Sequence, residues 1–213
     1  MAKRPLWVWD DTAKRYRETD TGRWIGINKM QELRNEYLEQ QKAIMRNKVE
    51  EYLANPTKTG VKQLNKDLRE IVKQTNTDMY ALGAGGRNGL SHRDWGTIGA
   101  LDKEQYKYLN GLVDQIAKGK ITPAQANARL KMYVNSSNEA LWRGYTNELP
   151  RMPAYPGDGS TQCLTNCQCT WEIVPVEGGF NCYWRLGPSE HCDDCVQRAG
   201  EWNPLFIPYG IGL

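Results

Sequence analysis

Cysteine is absent from the first 162 residues of this 213-residue chain, and histidine and phenylalanine occur only twice each. No apolar run approaches the roughly 20 residues that a membrane-spanning helix needs, which predicts a soluble protein. The opening Met1-Ala-Lys-Arg-Pro-Leu-Trp7 carries no apolar signal region, which argues against secretion and hence against a disulfide-stapled module. With only His92 and His191 available, the chain is poor in imidazole chemistry. An HNH-type nuclease needs a histidine base together with further metal-binding partners, and no Ser-His-Asp or Cys-His arrangement can be assembled. His92, beside Arg93 and Asp94, reads as a polar loop residue. The glycine-rich stretch Gly83-Ala-Gly85-Gly86-Arg87-Asn88-Gly89 follows no predicted strand and lacks the Lys-Ser/Thr ending of a phosphate-binding loop. It reads as an irregular connection, with Ser91 capping the turn that starts at Arg93.

All six cysteines fall in the last third of the chain, as Cys163-x3-Cys167-x-Cys169, then Cys182, then His191-Cys192-x2-Cys195. Two short-spaced knuckles in a loop-rich segment can converge on one tetrahedral Zn²⁺, so a structural zinc is expected in preference to disulfides or free thiols. Cys192 and Cys195 are the surest ligands, because an x2 spacing lets both thiolates face one ion. The other ligands come from Cys163, Cys167 and Cys169, and Cys182 reads as a strand residue. Five thiolates and His191 exceed four coordination places, which favours a closed structural site over a catalytic one with an open water position.

Charge divides the chain at the same place. Residues 1–150 hold 25 Lys and Arg against 18 Asp and Glu, a surplus of seven positive charges, whereas residues 151–213 hold 3 against 7, a surplus of four negative. The acidic cysteine-rich segment, with Glu190, Asp193 and Asp194 at its knuckle, repels phosphate and suits a protein-binding surface or fold clamp better than a DNA reader. A zinc-ribbon nucleic-acid-binding protein is the alternative reading.

Periodicity supplies the elements. Trp7-Val8-Trp9 and Arg15 to Trp24 alternate like a short β-hairpin around Asp20-Thr21-Gly22, with Tyr16 and Trp24 placed to pair. Helical spacing of Met30, Leu33, Tyr37, Ile44 and Leu53 predicts a helix from Asn28 to Asn55, which Pro56 ends. A second helix is expected from Thr59 to Leu82 around Leu64, Leu68, Ile71 and Val72, and a third from Lys103 to Lys118. Thr122-Pro123 opens a fourth, running through Leu130, Tyr133, Val134, Leu141 and Trp142 to Glu148. Pro150, Pro153 and Pro156 mark a boundary. Beyond it, Cys169 to Ile173 and Cys182 to Leu186 read as strands joined at Glu177-Gly178-Gly179. The expected architecture is mostly α: a four-helix domain (residues 1–150) preceded by a short β-hairpin, then a small β-hairpin/zinc-knuckle module (151–213) with an extended tail.

Several motifs, in this order, resemble the minor head proteins of tailed phages. They are the hairpin Tyr16 to Trp24, the Gly-rich loop leading to Arg93-Asp94-Trp95-Gly96, and Leu101 with Gln105-Tyr106-x-Tyr108-Leu109. Ala128-Arg129-Leu-x-Met-Tyr133, Cys163-Leu-Thr-Asn166-Cys167-x-Cys169-Thr and Glu190-His191-Cys192-x2-Cys195 continue the series. The Asn-Cys-x-Cys element, which in that family follows the His-Cys-x2-Cys element, here precedes it. A site at which two knuckles meet is indifferent to that order. The resemblance implies a non-enzymatic virion component in the head or neck, present in multiple copies, that binds portal, major capsid or neck proteins and contacts packaged DNA. It would reside in the host cytoplasm during assembly and in the virion afterwards. No membrane contact is expected. Two aromatic-rich strips offer partner-binding residues: Trp7 and Trp9 at one end, and Leu205, Phe206 and Tyr209 within the proline-flanked tail at the other.

Overall fold

Alternating large residues near the start form strands, three rather than two. β1 (Trp7–Asp10), β2 (Arg15–Glu18) and β3 (Trp24–Ile25) make an antiparallel meander. The computed structural model describes residues 7–10, 12, 13, 15–18, 21–149 and 152–209. Between β2 and β3 the Glu18 N–H donates to the Arg23 carbonyl and the Gly22 N–H to the Glu18 carbonyl, both at 2.9 Å, with Gly22 at a φ of 68°. That closure sets Arg17 opposite Trp24 and Tyr16 opposite Ile25, so the expected Tyr16–Trp24 pair is off by one and the two rings take opposite faces. Tyr16 docks the sheet by packing on the helical core and donating its hydroxyl to the Leu82 carbonyl (3.3 Å).

The helices α1 (Ile27–Ala54), α2 (Lys58–Gly83), α3 (His92–Ala117), α4 (Pro123–Asn135) and α5 (Ser137–Tyr145) share one core. α1 buries Tyr37, Gln41, Met45, Val49 and Tyr52. Leu53, expected inside, is 40% exposed, because the buried stripe runs through the polar Gln41 and is rotated from the one the apolar residues suggest.

Two further boundaries differ from expectation. α3 begins at His92, a full 11 residues before Lys103, since the Ser91 hydroxyl and the Asp94 carboxylate form a reciprocal capping box strong enough to start the helix there. The anticipated fourth helix is two, broken at Ser136. The Ser136 hydroxyl donates to the Tyr133 carbonyl (2.7 Å) and the Ser137 hydroxyl to the Val134 carbonyl (2.6 Å), local bonds that compete with the helical ladder. Among the described residues the helical part therefore has five helices, not four. None of the helices described is long and apolar enough to cross a membrane.

A second cluster of buried side chains gathers Met152, Tyr155, Trp171, Trp184 and the buried cysteines. β4 (Thr170–Val176) and β5 (Gly179–Arg185) form the expected hairpin, with Gly178 at a φ of 80° in its turn. Two elements were not anticipated: α6 (Asp193–Glu201), and β6 (Leu205–Pro208), which pairs antiparallel with β5 to give the order β4-β5-β6. Trp171, Trp184 and Trp202 pack ring on ring at 5.1 to 5.7 Å, and the Arg198 guanidinium lies 5.3 and 5.2 Å from the last two. Trp142 and Leu149 of the helical part pack against this cluster, and the Asn135 amide donates to Asn166 (2.8 Å).

Candidate metal centre

Two stretches of backbone carry the cysteines to one place. Cys163 opens a single 3-10 turn (Leu164–Asn166), Cys167 follows it, and Cys169 stands just before β4. Cys192 is the N-cap of α6 and Cys195 lies in its first turn. Asp193 and Asp194 complement the positive end of that helix. The two sides are tied together around the cluster: the Asp194 carboxylate accepts the Gln162 N–H (2.8 Å), and Arg198 donates to the Ser160 carbonyl (2.9 Å). Gly187 permits a close approach to the Cys-x-Cys segment, for a Cβ there would sit 2.4 Å from the Gln168 carbonyl oxygen.

The sulfurs of Cys163 and Cys195, of Cys167 and Cys195, and of Cys192 and Cys163 are each 3.7 Å apart. Four thiolates bonded to one Zn²⁺ at ~2.3 Å in a tetrahedron stand about 3.8 Å from one another. A disulfide would need about 2.05 Å, and all six cysteines are free. Two sets of three sulfurs lie mutually within 4.8 Å: Cys163, Cys192 and Cys195, and Cys167, Cys169 and Cys195. All five cysteines expected as ligands are therefore together and positioned to hold a metal ion. They line a cavity of about 20 Å³ with His191 and Glu190 at its edge. Cys182 stands apart on β5, fully buried in the sheet core.

Such crowding resists ionisation without a cation. Cys195 is pushed well above the ordinary thiol range by burial and then by Cys192, and Cys167 by its contact with Cys169 and then by burial. Cys169 moves down, chiefly through that same contact, helped by the Gly187 N–H. Burial also opposes the Cys192 thiolate, but backbone N–H groups of Cys195 and Cys163 outweigh it and leave this thiol lowered. Backbone donors aimed at sulfur favour thiolate, the form that soft or borderline metals bind.

Of the residues expected at partner surfaces, Trp7 and Trp9 lie in β1, and their side chains are outside the described residues. Leu205 is half-buried against the second core, while Phe206 and Tyr209 are 50% and 52% exposed. The tail is extended, but it is part of a sheet. β6 is paired to β5 along one edge, the Tyr209 N–H donates to the Gly178 carbonyl (3.0 Å), and its ring meets Phe180 edge-on at 5.1 Å. Sequence reasoning missed α6 and its Asp194 anchor, although paired acids directly after Cys192 are a first-turn signal. No protein-family model, curated protein or solved structure matches the chain.

Proposed function

We propose that this chain is a non-enzymatic structural protein whose C-terminal unit is closed by a Zn²⁺, and that it serves in the head or neck of a tailed-phage virion by binding portal or capsid subunits. The observation that carries the metal reading is the 3.7 Å spacing of the Cys195 sulfur from both Cys163 and Cys167, the separation that ~2.3 Å Zn–S bonds require. Thiolate surplus makes the shell closed, so the ion would act as a clamp between α6 and the segment that leads into β4. His92, at the exposed start of α3, and His191, exposed beside the cluster, are used for no proton transfer in this reading.

The virion reading rests on the ordered motifs in the sequence and on the two exposed aromatic side chains Phe206 and Tyr209 at and just beyond the edge strand, since aromatic side chains suit the centre of a protein interface. Glu190, Asp193 and Asp194 around the cluster disfavour phosphate as the partner. Elemental analysis and native mass spectrometry of the full chain test the metal reading: stoichiometric zinc with free thiols is expected, and metal-free protein with disulfides would overturn it. For the virion reading, the double variant Phe206→Ser and Tyr209→Ser should keep its zinc and its fold yet fail to enter particles, as scored by electron microscopy and gel analysis of purified virions. Normal incorporation would remove this edge as the interface, and absence of the wild-type chain from particles would remove the virion role.

A further inference from the structure

The metal reading above leaves one more sulfur than a tetrahedral ion can use. A cavity of about 20 Å³ is little larger than the ~10–15 Å³ that a single water needs, so it takes one ion and not two. Five thiol sulfurs surround it all the same. They fall into two sets of three, Cys163 with Cys192 and Cys195, and Cys167 with Cys169 and Cys195, and Cys195 is common to both.

Resting on that reading, we propose that the ion is held by a pool of five thiolates in which Cys195 alone is indispensable, and the other four substitute for one another. Removing Cys163 or Cys192 leaves the set built on Cys167, Cys169 and Cys195 intact, with the remaining member of the other set as fourth donor. Loss of Cys167 or Cys169 leaves the converse. Without Cys195 neither set survives, and only the pairs Cys163 with Cys192 and Cys167 with Cys169 remain. Zn²⁺ has a filled d shell and no electronic preference among sulfurs, so a change of ligand costs little beyond the movement of a side chain. Cys163 and the Cys167-Gln168-Cys169 tripeptide lie at opposite ends of one short 3-10 turn, which puts a sulfur from either end within reach of the site built around Cys195. Cys195, 1% exposed on the first turn of a helix, is the rigid member about which the others move.

The test uses the full-length zinc-loaded chain and its single variants Cys163→Ser, Cys167→Ser, Cys169→Ser, Cys192→Ser and Cys195→Ser, with Cys182→Ser as a control outside the cluster. Zinc stoichiometry is read by native mass spectrometry and affinity by competition with a chromophoric chelator. The first four should each retain one zinc and lose no more than about 100-fold in affinity, the size of an outer-shell change rather than of a lost ligand set, whereas Cys195→Ser should lose stoichiometric zinc. In the wild type, with four thiols held by zinc and Cys182 in the core, maleimide should label one thiol per chain, spread over more than one cysteine of the cluster. Zinc loss in any one of the first four variants, or labelling confined to a single cysteine, would show a fixed set of four ligands and overturn the pool while leaving the zinc reading in place. A wild-type chain without zinc would instead overturn the underlying reading, and the pool with it. Should Cys195→Ser fail to fold, the other four variants and the labelling pattern still decide.

Discussion

Asp94 and Asp102, both buried on α3, are shifted in opposite directions. Burial penalises the Asp94 charge, but the Tyr80 hydroxyl (2.6 Å), the Ser91 hydroxyl and N–H (2.7 Å each) and the Asn147 amide (3.4 Å) outweigh it and hold its carboxyl below the usual range. A depressed carboxylate contributes stability above its unfolded value of about 3.9, and that contribution is lost as pH falls through the folded value. Asp102 is raised by burial, which the Asn76 amide at 2.7 Å and Lys73 offset only in part. Its folded form binds a proton more tightly than the unfolded chain does, so it costs stability at neutral pH, and the cost fades as pH falls from above its raised value towards about 3.9. The neighbouring Asn76 Oδ1 is buried without a partner. Asp102→Asn removes the buried charge and supplies an N–H₂ donor. It is expected to stabilise the protein by about 1 kcal/mol at pH 7, with the gain shrinking in acid; melting curves of both proteins across the pH range check this, and a gain that does not vary with pH would refute the charge argument. Leu164 is a 44% exposed leucine at a φ of +51° in the turn between Cys163 and Cys167. Left-handed backbone costs a branched residue about 1–2 kcal/mol, against about 0.5–1 kcal/mol for the extra chain entropy of glycine. Leu164→Gly should thus raise the urea midpoint slightly, and a large loss would mean that the leucine side chain is held by contacts of its own.

Among the elements, the crossing of α2 and α5 carries the tightest constraint. A Cβ on Gly144 would lie 2.1 Å from the Tyr80 carbonyl oxygen, and one on Gly83 would lie 2.0 Å from the Leu141 carbonyl oxygen. Backbone meets backbone there, so no side chain can yield. Alanine normally gains almost 1 kcal/mol over glycine within a helix, which makes the sign diagnostic. Gly144→Ala is expected to destabilise by about 3 kcal/mol, while Gly99→Ala on α3, where nothing lies within 4 Å of the added methyl, should stabilise by roughly 0.5–1 kcal/mol. Chemical denaturation of the two variants beside the wild type measures both, and a stabilised Gly144→Ala would mean that the helices do not cross at these glycines.

At the scale of the whole molecule, two buried clusters meet through Trp142 and Leu149 but draw their stability from different sources. The helical cluster is an apolar interior running from Tyr37 to Ala140. The other surrounds the cysteines with three tryptophans, and small units of this kind rely on a metal whose apparent binding in zinc-finger peptides is about 10–16 kcal/mol. Removing the metal with a chelator should unfold residues 152–209, red-shift the emission of Trp171, Trp184 and Trp202, and leave the signal of α1 to α5 in far-UV dichroism. Limited proteolysis should then cut beyond Leu149 and spare the helices. If that segment resists protease equally with and without metal, the clamp reading fails. Deleting residues 203–213 is expected to destabilise the same unit, because Leu205 and Ile207 pack into its core and β6 completes the sheet.

Local chemistry wrote much of this protein into its sequence. Helical spacing, the Asn55-Pro56 stop, the Thr122-Pro123 start and the Gly178 turn act over a few residues, and they placed α1, α2, the start of α4 and the β4–β5 hairpin. Clustering of cysteines at short spacing likewise marked the five sulfurs that come together. What lay beyond local pattern depends on approaches between distant residues. Ser136 breaks a helix through bonds that compete with a ladder apolar spacing would have continued, β6 exists because Gly179 lets the Ile207 backbone come close, and Gly144 matters because Tyr80 lies opposite. The central place of Cys195 follows from its distance to sulfurs about thirty positions earlier in the chain, a quantity set by how α6 docks beside the Cys163 turn and not by any spacing within the motif.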